Sequence, residues 1–243
     1  KRLEYASAIA VRLTKLTGKS ANPVHPKHLV SKKPWFLKYL KKTDKILDLG
    51  AGNGQNSIKA AAVVKTVIGV DYDDSLLRLA EKSSKLTNVK YIQLNLEKKL
   101  PFRDKTFDKI LFFDVLEHLV KRNQILKESK RVLKPNGILI LSVPNKNTSW
   151  KKLQRKYSVC SYSDPDHKIE YSKLEIKKAI EKYFFIKEFL FDKYDTPLRP
   201  IHDLIGVFWL DKYKKILLAR QIKANKNPQE ASGFRIIASP NKK

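Results

Sequence analysis

Residues 46–54 read Ile46-Leu47-Asp48-Leu49-Gly50-Ala51-Gly52-Asn53-Gly54. The apolar residues around a single acid predict a buried strand, and the three alternating glycines predict a tight turn into a helix that begins near Gln55. Glycine lets the backbone approach a ligand that any Cβ would keep away, and the first turn of a helix presents unpaired N–H groups. The stretch therefore predicts a site for a nucleotide-like cofactor.

The spacing of the glycines excludes two common nucleotide motifs. The dinucleotide pattern G-x-G-x-x-G needs a glycine at position 55, where this chain has Gln55. The P-loop needs Gly-Lys followed by Ser or Thr, which this stretch lacks. The pattern that remains is Asp-x-Gly-x-Gly-x-Gly, which starts at Asp48.

This pattern and the segments that follow it resemble the class I S-adenosylmethionine (SAM) dependent methyltransferases. Along residues 44–145 the chain has, in the family's order, a second strand that ends on an acid, a fourth strand with its approach and its exit, and a helix stop. The resemblance implies that SAM is the cofactor, S-adenosylhomocysteine the product and methyl transfer the reaction. The segments are Val67–Asp71, Leu100–Phe102 with Phe107–Ile110, Phe113–Leu119 and Leu133–Leu139.

Hydrophobic periodicity predicts strands that alternate with helices. Short apolar runs are separated by segments with apolar residues at helical spacing, such as Leu76, Leu77 and Ala80. This order predicts an α/β fold with a parallel, doubly wound sheet, and the resemblance implies seven strands, one of the last two antiparallel. A helix over 123–133 is predicted to stop at Pro135-Asn136-Gly137. The predicted strands lie at 45–49, 66–71, 89–94, 107–113, 137–143, 183–191 and 233–238.

A chain of 243 residues suits a single domain with a sizeable core. We expect an N-terminal cap at residues 1–43, with an amphipathic stretch at 5–16 and a loop rich in helix breakers at 22–28. The SAM-binding core is expected at 44–145. The segments at 146–243 are expected to lie on the substrate side and to contain the last two strands.

Cysteine usage and hydropathy indicate the compartment. The single cysteine, Cys160, excludes an intramolecular disulfide and favours a reducing environment. No apolar run reaches the roughly eighteen residues that span a bilayer, and no basic-then-apolar leader is visible. We therefore expect a soluble, cytoplasmic protein.

The formal net charge of +27 raises the question of an anionic partner. Lysines are scattered over nearly every predicted helix, which is typical of a solvated surface. Denser basic stretches occur at 27–45, 146–156 and 212–226, the first two interleaved with Trp35 and Trp150. Nucleic acid and an anionic membrane surface therefore stay open as partners beside a small-molecule acceptor.

The chemistry of SAM defines what its site must contain. SAM needs acceptors for an ammonium group and two ribose hydroxyls, and an apolar slot for adenine. We expect Asp71 to accept the ribose hydroxyls and Asp48 to hold the methionyl end through its ammonium group or ordered water. The alternatives are a turn-forming Asp71 and a strand-end hydrogen bond at Asp48. The residues expected to contact the cofactor are Asp48, Gly50, Ala51, Gly52, Asn53, Gly54, Asp71, Tyr72, Asn95, Leu96, Asp114 and Val115.

Two of these positions are assigned through the resemblance. Similar methyltransferases often have an acid after the third strand to accept the adenine amino group, where this chain has Asn95. The Asn95 carbonyl can still accept that hydrogen bond, without the attraction of a charge. The resemblance places Asp114, after the fourth strand, near the methionine moiety.

Two histidines are candidate general bases. His118 follows the fourth strand at the mouth of the expected cleft, and His167 stands beside Asp164 and Asp166. A neutral imidazole can take a proton from an acceptor hydroxyl; the alternatives are a hydrogen-bonded helix-start histidine and an exposed polar turn. Asp164, Asp166 and Glu170 lie close in sequence, but nothing in the sequence fixes their convergence, and no Cys/His cluster is evident. We therefore predict no metal.

Three hypotheses for the function remain. Ser142–Asn145, followed by Asp166-His167 and a helix, is similar to enzymes that O-methylate quinone precursors, sugars or other small metabolites, which favours a small-molecule acceptor at oxygen. The second hypothesis is an RNA methyltransferase that uses the basic stretches and Trp35 or Trp150. The third is contact with a membrane surface through the apolar run 204–210, which would serve a lipid or quinone acceptor; the alternative for that run is a lid packed over the cleft.

Overall fold

The structure of the protein is a computed structural model, which describes residues 34–241 together with Ile9 and Leu13. The amphipathic stretch at 5–16 and the loop at 22–28 lie outside the described residues, except that Ile9 and Leu13 are helical. Among the described helices, none is long and apolar enough to cross a membrane.

Seven strands form one sheet within the described residues. They are β1 (Lys45–Leu49), β2 (Thr66–Asp71), β3 (Val89–Gln93), β4 (Phe107–Phe113), β5 (Leu133–Pro144), β6 (Phe184–Phe191) and β7 (Gly233–Pro240). Their order across the sheet is β3-β2-β1-β4-β5-β7-β6, and the pairs β1–β2, β1–β4, β2–β3 and β4–β5 are parallel. The predicted doubly wound, mostly parallel sheet is confirmed.

Between residues 34 and 241 the chain forms seven α-helices and three short 3-10 helices. The α-helices are α1 (Gln55–Ala61), α2 (Asp74–Ser83), α3 (Arg122–Val132), α4 (Ser149–Lys156), α5 (Lys173–Glu181), α6 (Arg199–Phe208) and α7 (Leu210–Lys226). The 3-10 helices are Trp35–Tyr39, Leu116–His118 and Pro228–Glu230. The helix predicted near Gln55 begins at that residue, and the helix predicted at 123–133 is α3.

Strand β5 begins earlier than predicted, because the helix-stop residues are part of it. Phe107 pairs with Leu133, and Lys109 pairs with Ile138. Four residues of β5 therefore lie opposite a single residue of β4, so the stretch with Pro135 bulges out of the ladder. A proline has no N–H to donate, which fits a position where regular pairing is interrupted.

The core of the sheet is built from the apolar runs that predicted the strands. Phe36, Ile46, Val67, Leu111 and Ile140 are each at most 1% exposed and belong to one cluster. Complete burial of such a side chain stabilises the fold by ~1.5–3 kcal/mol. This packing holds the parallel strands in register and so fixes where their C-terminal ends lie.

The described residues divide into two compact units. The sheet unit comprises 34–145, 166–190 and 234–241, and the helical unit comprises 146–165 and 191–233. Within the helical unit the buried Tyr213 hydroxyl donates a hydrogen bond of 2.7 Å to Asp203. The grouping of all residues into a single domain stays a prediction.

Candidate cofactor and active site

The candidate site lies at the edge of the sheet where parallel strands end. Asp48 is the fourth residue of β1, Asp71 is the last residue of β2, and Asp114 follows β4 directly. Because β1, β2 and β4 run parallel, the three acids share the edge at which ligands bind in open α/β sheets. The sheet thus brings together acids that are up to 66 positions apart in sequence, from 48 to 114.

The glycine turn is fixed by its backbone. Gly50, Gly52 and Gly54 have φ angles of 76°, 52° and 77°, a backbone region that residues other than glycine rarely adopt. The N–H groups of Gly50 and Ala51 both donate to the carbonyl of Val70, at 2.8 and 2.9 Å. The turn that follows β1 is therefore tied to the end of β2.

The three glycines differ in what a side chain would meet. A Cβ on Gly50 would lie 2.2 Å from Cγ2 of Val115, and one on Gly54 would lie 2.4 Å from the Tyr91 hydroxyl. A Cβ on Gly52 would meet no heavy atom within 4 Å. Gly50 and Gly54 are therefore required by packing inside the protein, whereas Gly52 borders open space.

Asp71 joins the glycine turn to the segment after β2. Its Oδ2 accepts a hydrogen bond from the Gly52 N–H at 2.8 Å, and its Oδ1 accepts one from the Asp73 N–H at 3.1 Å. The side chain therefore does form a turn, as one interpretation of the sequence held. Each carboxylate oxygen has a second lone pair, so the same side chain can also accept hydroxyls from a ligand.

Asp48 is a buried acid, only 2% exposed. Its Oδ2 accepts a hydrogen bond of 2.5 Å from the Ser57 hydroxyl. Burial raises the pKa of Asp48 to about 6, the Ser57 hydrogen bond opposes that rise, and the nearby Asp71 charge adds to it. A buried carboxylate with a raised pKa is stabilised by a cationic ligand.

The remaining predicted cofactor residues lie around the same edge. Asn95 is exposed just beyond β3, and its side-chain oxygen accepts the Glu97 N–H at 2.8 Å. Tyr72 is 77% exposed, and Leu96 is 5% exposed. Asp114 has a φ of 55° and accepts a hydrogen bond of 2.8 Å from the Ser142 hydroxyl. Contact of these residues, and of Asn53, with the cofactor stays a prediction.

The structure brings His118 and His167 together. Their ring centroids are 4.6 Å apart, with planes at 78°. Nδ1 of His167 lies 3.0 Å from the carboxylate of Glu170, whereas Asp164 and Asp166 were the neighbours considered from the sequence. Sequence reasoning missed Glu117, which is fully buried and lies 3.9 Å from Nε2 of His167.

These residues fit the chemistry that SAM requires. Asp48 offers a buried negative charge for an ammonium group, and Asp71 offers two oxygens that can accept hydroxyls. Because Gly52 has no Cβ, the space next to the turn stays open. The donor and acceptor set of this edge therefore suits the amino acid and ribose parts of SAM.

Comparison with known proteins supports the same conclusion. Residues 47–141 match the family model described as "Methyltransferase domain". A probable S-adenosylmethionine-dependent methyltransferase of Mycobacterium tuberculosis is 36% identical over 103 residues, which is 42% of this chain and 36% of that protein. The ubiquinone/menaquinone biosynthesis C-methyltransferase UbiE of Pasteurella multocida is 35% identical over 109 residues, 42% of this chain and 40% of that protein. The chain thus spans well under half the length of these curated relatives.

Solved structures agree in fold. A SAM-dependent methyltransferase of Methanosarcina mazei superposes with a TM-score of 0.58 at 24% identity, over 85% of this chain and 96% of that one. A putative methyltransferase of Listeria monocytogenes gives 0.61 at 17% identity, over 89% and 100%. Residues 47–141 therefore match a methyltransferase domain, and the Mycobacterium tuberculosis relative that matches over 103 residues is named as SAM-dependent.

The contrast between Gly50 and Gly52 gives a matched pair of variants. Gly50→Ala combines a left-handed backbone with a clash against Val115, so it should lower the free energy of unfolding by about 2–4 kcal/mol. Gly52→Ala carries only the backbone cost of ~1–2 kcal/mol but fills space beside the turn, so it should weaken S-adenosylhomocysteine binding at least tenfold. Denaturant unfolding and calorimetry measure the two effects. Equal stabilities, or normal binding by Gly52→Ala, would contradict this account of the turn.

Proposed function

We propose that the protein transfers a methyl group from SAM to a small-molecule acceptor, at oxygen. The observation that carries the proposal is the glycine turn at the sheet edge, which Asp71 fixes by accepting the Gly52 N–H at 2.8 Å. Asp48 stands one residue before the end of β1 on the same edge. This arrangement supports a bound SAM whose ammonium group is held by Asp48 and whose ribose is held by Asp71.

Bound SAM supplies an electrophilic methyl carbon on a sulfonium ion. The chain's own residues have to hold the two ends of the cofactor, align the acceptor and exclude water. Asp48 and Asp71 hold the cofactor through its ammonium and ribose groups. Close packing of Val115 against Gly50 keeps the exit of β4 beside the turn, so the segment that holds His118 starts next to the cofactor.

The two histidines favour an oxygen acceptor. A neutral imidazole accepts a proton from a hydroxyl and also ligates divalent cations, and both chemistries serve attack by oxygen. His167 is 9% exposed and His118 is partly buried, so both are sheltered from bulk water. The relative from Pasteurella multocida is named for ubiquinone/menaquinone biosynthesis, which supports a quinone-related acceptor and makes carbon the alternative acceptor atom.

Trp35, one of the two tryptophans considered for stacking on RNA bases, is covered by other side chains. Trp35 packs against Phe113 at a centroid distance of 5.6 Å, and the Arg235 guanidinium stacks on its ring at 4.9 Å. A ring covered in this way is poorly placed to stack on a nucleobase. We therefore rank RNA behind a small-molecule acceptor.

Contact with a membrane surface is the second candidate, because α6 and the residue that follows it, Trp209, expose apolar side chains. Ile201, Phe208 and Trp209 are 56%, 53% and 56% exposed, and Leu204 is 39% exposed. The Lys212 ammonium lies 5.2 Å from the Trp209 ring centroid. Exposed apolar side chains beside lysines suit the interface of an anionic bilayer, where a quinone or lipid acceptor would be found.

Removal of the Asp71 charge tests the proposed activity directly. Asp71→Asn should weaken S-adenosylhomocysteine binding roughly ten- to hundredfold in calorimetry, because hydrogen bonds to a charged group contribute about 1.5–3 kcal/mol. With radiolabelled SAM and fractionated cell extract, the unaltered protein should label a small-molecule fraction and Asp71→Asn should not. Asp74→Asn is the control, since Asp74 is an exposed neighbour paired with Arg78. Equal affinity of the two variants would remove Asp71 from the site, and label found only in RNA would overturn the acceptor class.

The raised pKa of Asp48 predicts how binding depends on pH. An ammonium ligand binds the ionised form, so affinity for S-adenosylhomocysteine should be constant well above pH 6 and fall as the pH drops through about 6. Ser57→Ala removes the hydrogen bond that lowers the Asp48 pKa, so its decline should begin at higher pH. Calorimetry between pH 5 and about 8 measures both curves. A flat profile, or a Ser57→Ala decline that moves to lower pH, would contradict the assignment.

A pair of phenylalanines tests the membrane candidate. Phe208→Ala should weaken binding to anionic vesicles in co-sedimentation roughly ten- to hundredfold, because burial of a phenylalanine contributes ~1.5–3 kcal/mol. Phe185→Ala is the matched control, as Phe185 is 65% exposed but belongs to β6 of the sheet unit. If both variants sediment like the unaltered protein, α6 is not the contact surface.

A further inference from the structure

Three potential metal ligands converge within the sheet unit, at the exit of β4. Glu117, His118 and His167 each offer one ligand atom, and these atoms all lie within 4.8 Å of one another. Nε2 of His167 is 3.9 Å from Oε1 of Glu117. The prediction of no metal from the sequence rested on Asp164, Asp166 and Glu170 and on the absence of an evident Cys/His cluster; it did not consider Glu117 together with the two histidines.

The backbone holds the two contributing segments together. Glu117 and His118 belong to the 3-10 helix Leu116–His118, and His167 lies about fifty positions later. The N–H groups of Lys168 and Ile169 both donate to the carbonyl of Glu117, at 2.8 and 3.3 Å. The approach of His167 to Glu117 is thus set by main-chain hydrogen bonds and does not rest on flexible side chains alone.

Glu170 orients the His167 ring through its Nδ1 atom. Its Oε1 lies 3.0 Å from Nδ1 of His167, and Glu170 is only 1% exposed. A carboxylate at Nδ1 holds the proton on that nitrogen and leaves Nε2 with its lone pair directed at the cluster. This carboxylate–histidine pairing is the usual outer partner of a metal-bound imidazole.

The composition of the cluster also favours a cation. Glu117 is fully buried and Glu170 is 1% exposed, so two carboxylates share a small volume with two imidazoles. Carboxylates and neutral imidazoles are both ligands of divalent cations. A divalent cation between Glu117, His118 and His167 would lie at the centre of the group.

We propose that Glu117, His118 and His167 bind one divalent transition-metal cation, with Zn²⁺ as the representative species. Transition-metal cations bind a set of two imidazole nitrogens and one carboxylate oxygen more readily than Mg²⁺ and Ca²⁺ do. Ligands at about 2.1 Å in tetrahedral geometry stand roughly 3.4 Å apart, so the observed 3.9 Å between His167 and Glu117 closes by about 0.5 Å on binding. Three protein ligands leave one coordination position open.

The open coordination position gives the cation a role in methyl transfer. This role rests on the proposed function. An acceptor hydroxyl oxygen occupies it, and the cation lowers the pKa of that hydroxyl. The hydroxyl proton passes to solvent, the oxygen electron pair forms the bond to the methyl carbon, and the electrons of the breaking carbon–sulfur bond stay on sulfur as S-adenosylhomocysteine. The substrate class is then a hydroxyl-bearing small molecule.

Titration of the chelator-treated full chain with Zn²⁺ tests the site, with Co²⁺ as a spectroscopic probe. One cation per chain should bind, and His118→Ala and His167→Ala should each weaken affinity at least a hundredfold. Glu117→Gln and the positioning variant Glu170→Gln should each weaken it roughly ten- to hundredfold, and the Co²⁺ absorption bands of Glu170→Gln should keep their tetrahedral form. His202→Asn, a histidine variant in the helical unit, should bind as tightly as the unaltered protein.

The same proteins separate this proposal from the methyltransferase proposal. S-adenosylhomocysteine should bind His118→Ala and His167→Ala with normal affinity, which also shows that they are folded, and only Zn²⁺ binding should be lost. Chelation should abolish labelling of the acceptor fraction, and Zn²⁺ or Mn²⁺ should restore it. Absence of Zn²⁺ binding to the unaltered protein, or equal binding by the histidine variants, would overturn the metal site. Zn²⁺ binding without any S-adenosylhomocysteine binding would overturn the proposed function and leave the metal site standing.

Discussion

The hydrogen bond from the Gly52 N–H to the Asp71 carboxylate is the constraint on which the candidate site depends. It holds the turn after β1 against the end of β2, and the donation of Gly50 and Ala51 to Val70 secures the same junction. Because the turn cannot move away from Asp71, Gly52 keeps an open face and the acid keeps its lone pairs at the sheet edge. The site is therefore preorganised by backbone interactions before any ligand arrives.

Electrostatics divides this edge into two regions with different tasks. Beside the glycine turn, the buried Asp48 has a pKa raised to about 6 and Asp71 lies nearby, so this region suits the cationic ligand that we propose. On the exit of β4, buried carboxylates surround a pair of imidazoles, a composition suited to an acceptor oxygen and a cation. Val115 joins the regions, since it packs against Gly50 and directly precedes the 3-10 helix with His118.

The sequence predicted the fold well but not the contacts around the two histidines, for a physical reason. Strands and the glycine turn are encoded locally, by periodicity and by the φ angles that only glycine adopts readily, so β1 to β4 and the start of α1 are confirmed. The bulge at the start of β5 and the pairing of His167 with Glu170 depend on tertiary contacts. Glu117 directly precedes His118, but neither its burial nor its distance to His167 can be predicted from the sequence.

A structure with bound S-adenosylhomocysteine would locate the cofactor site. We expect the ligand to lie along the glycine turn, next to Gly52, with its ribose hydroxyls within hydrogen-bond distance of Asp71 and its ammonium group directed at Asp48. A ligand found elsewhere on the protein, or no ligand at saturating concentration, would show that this edge of the sheet is not the cofactor site.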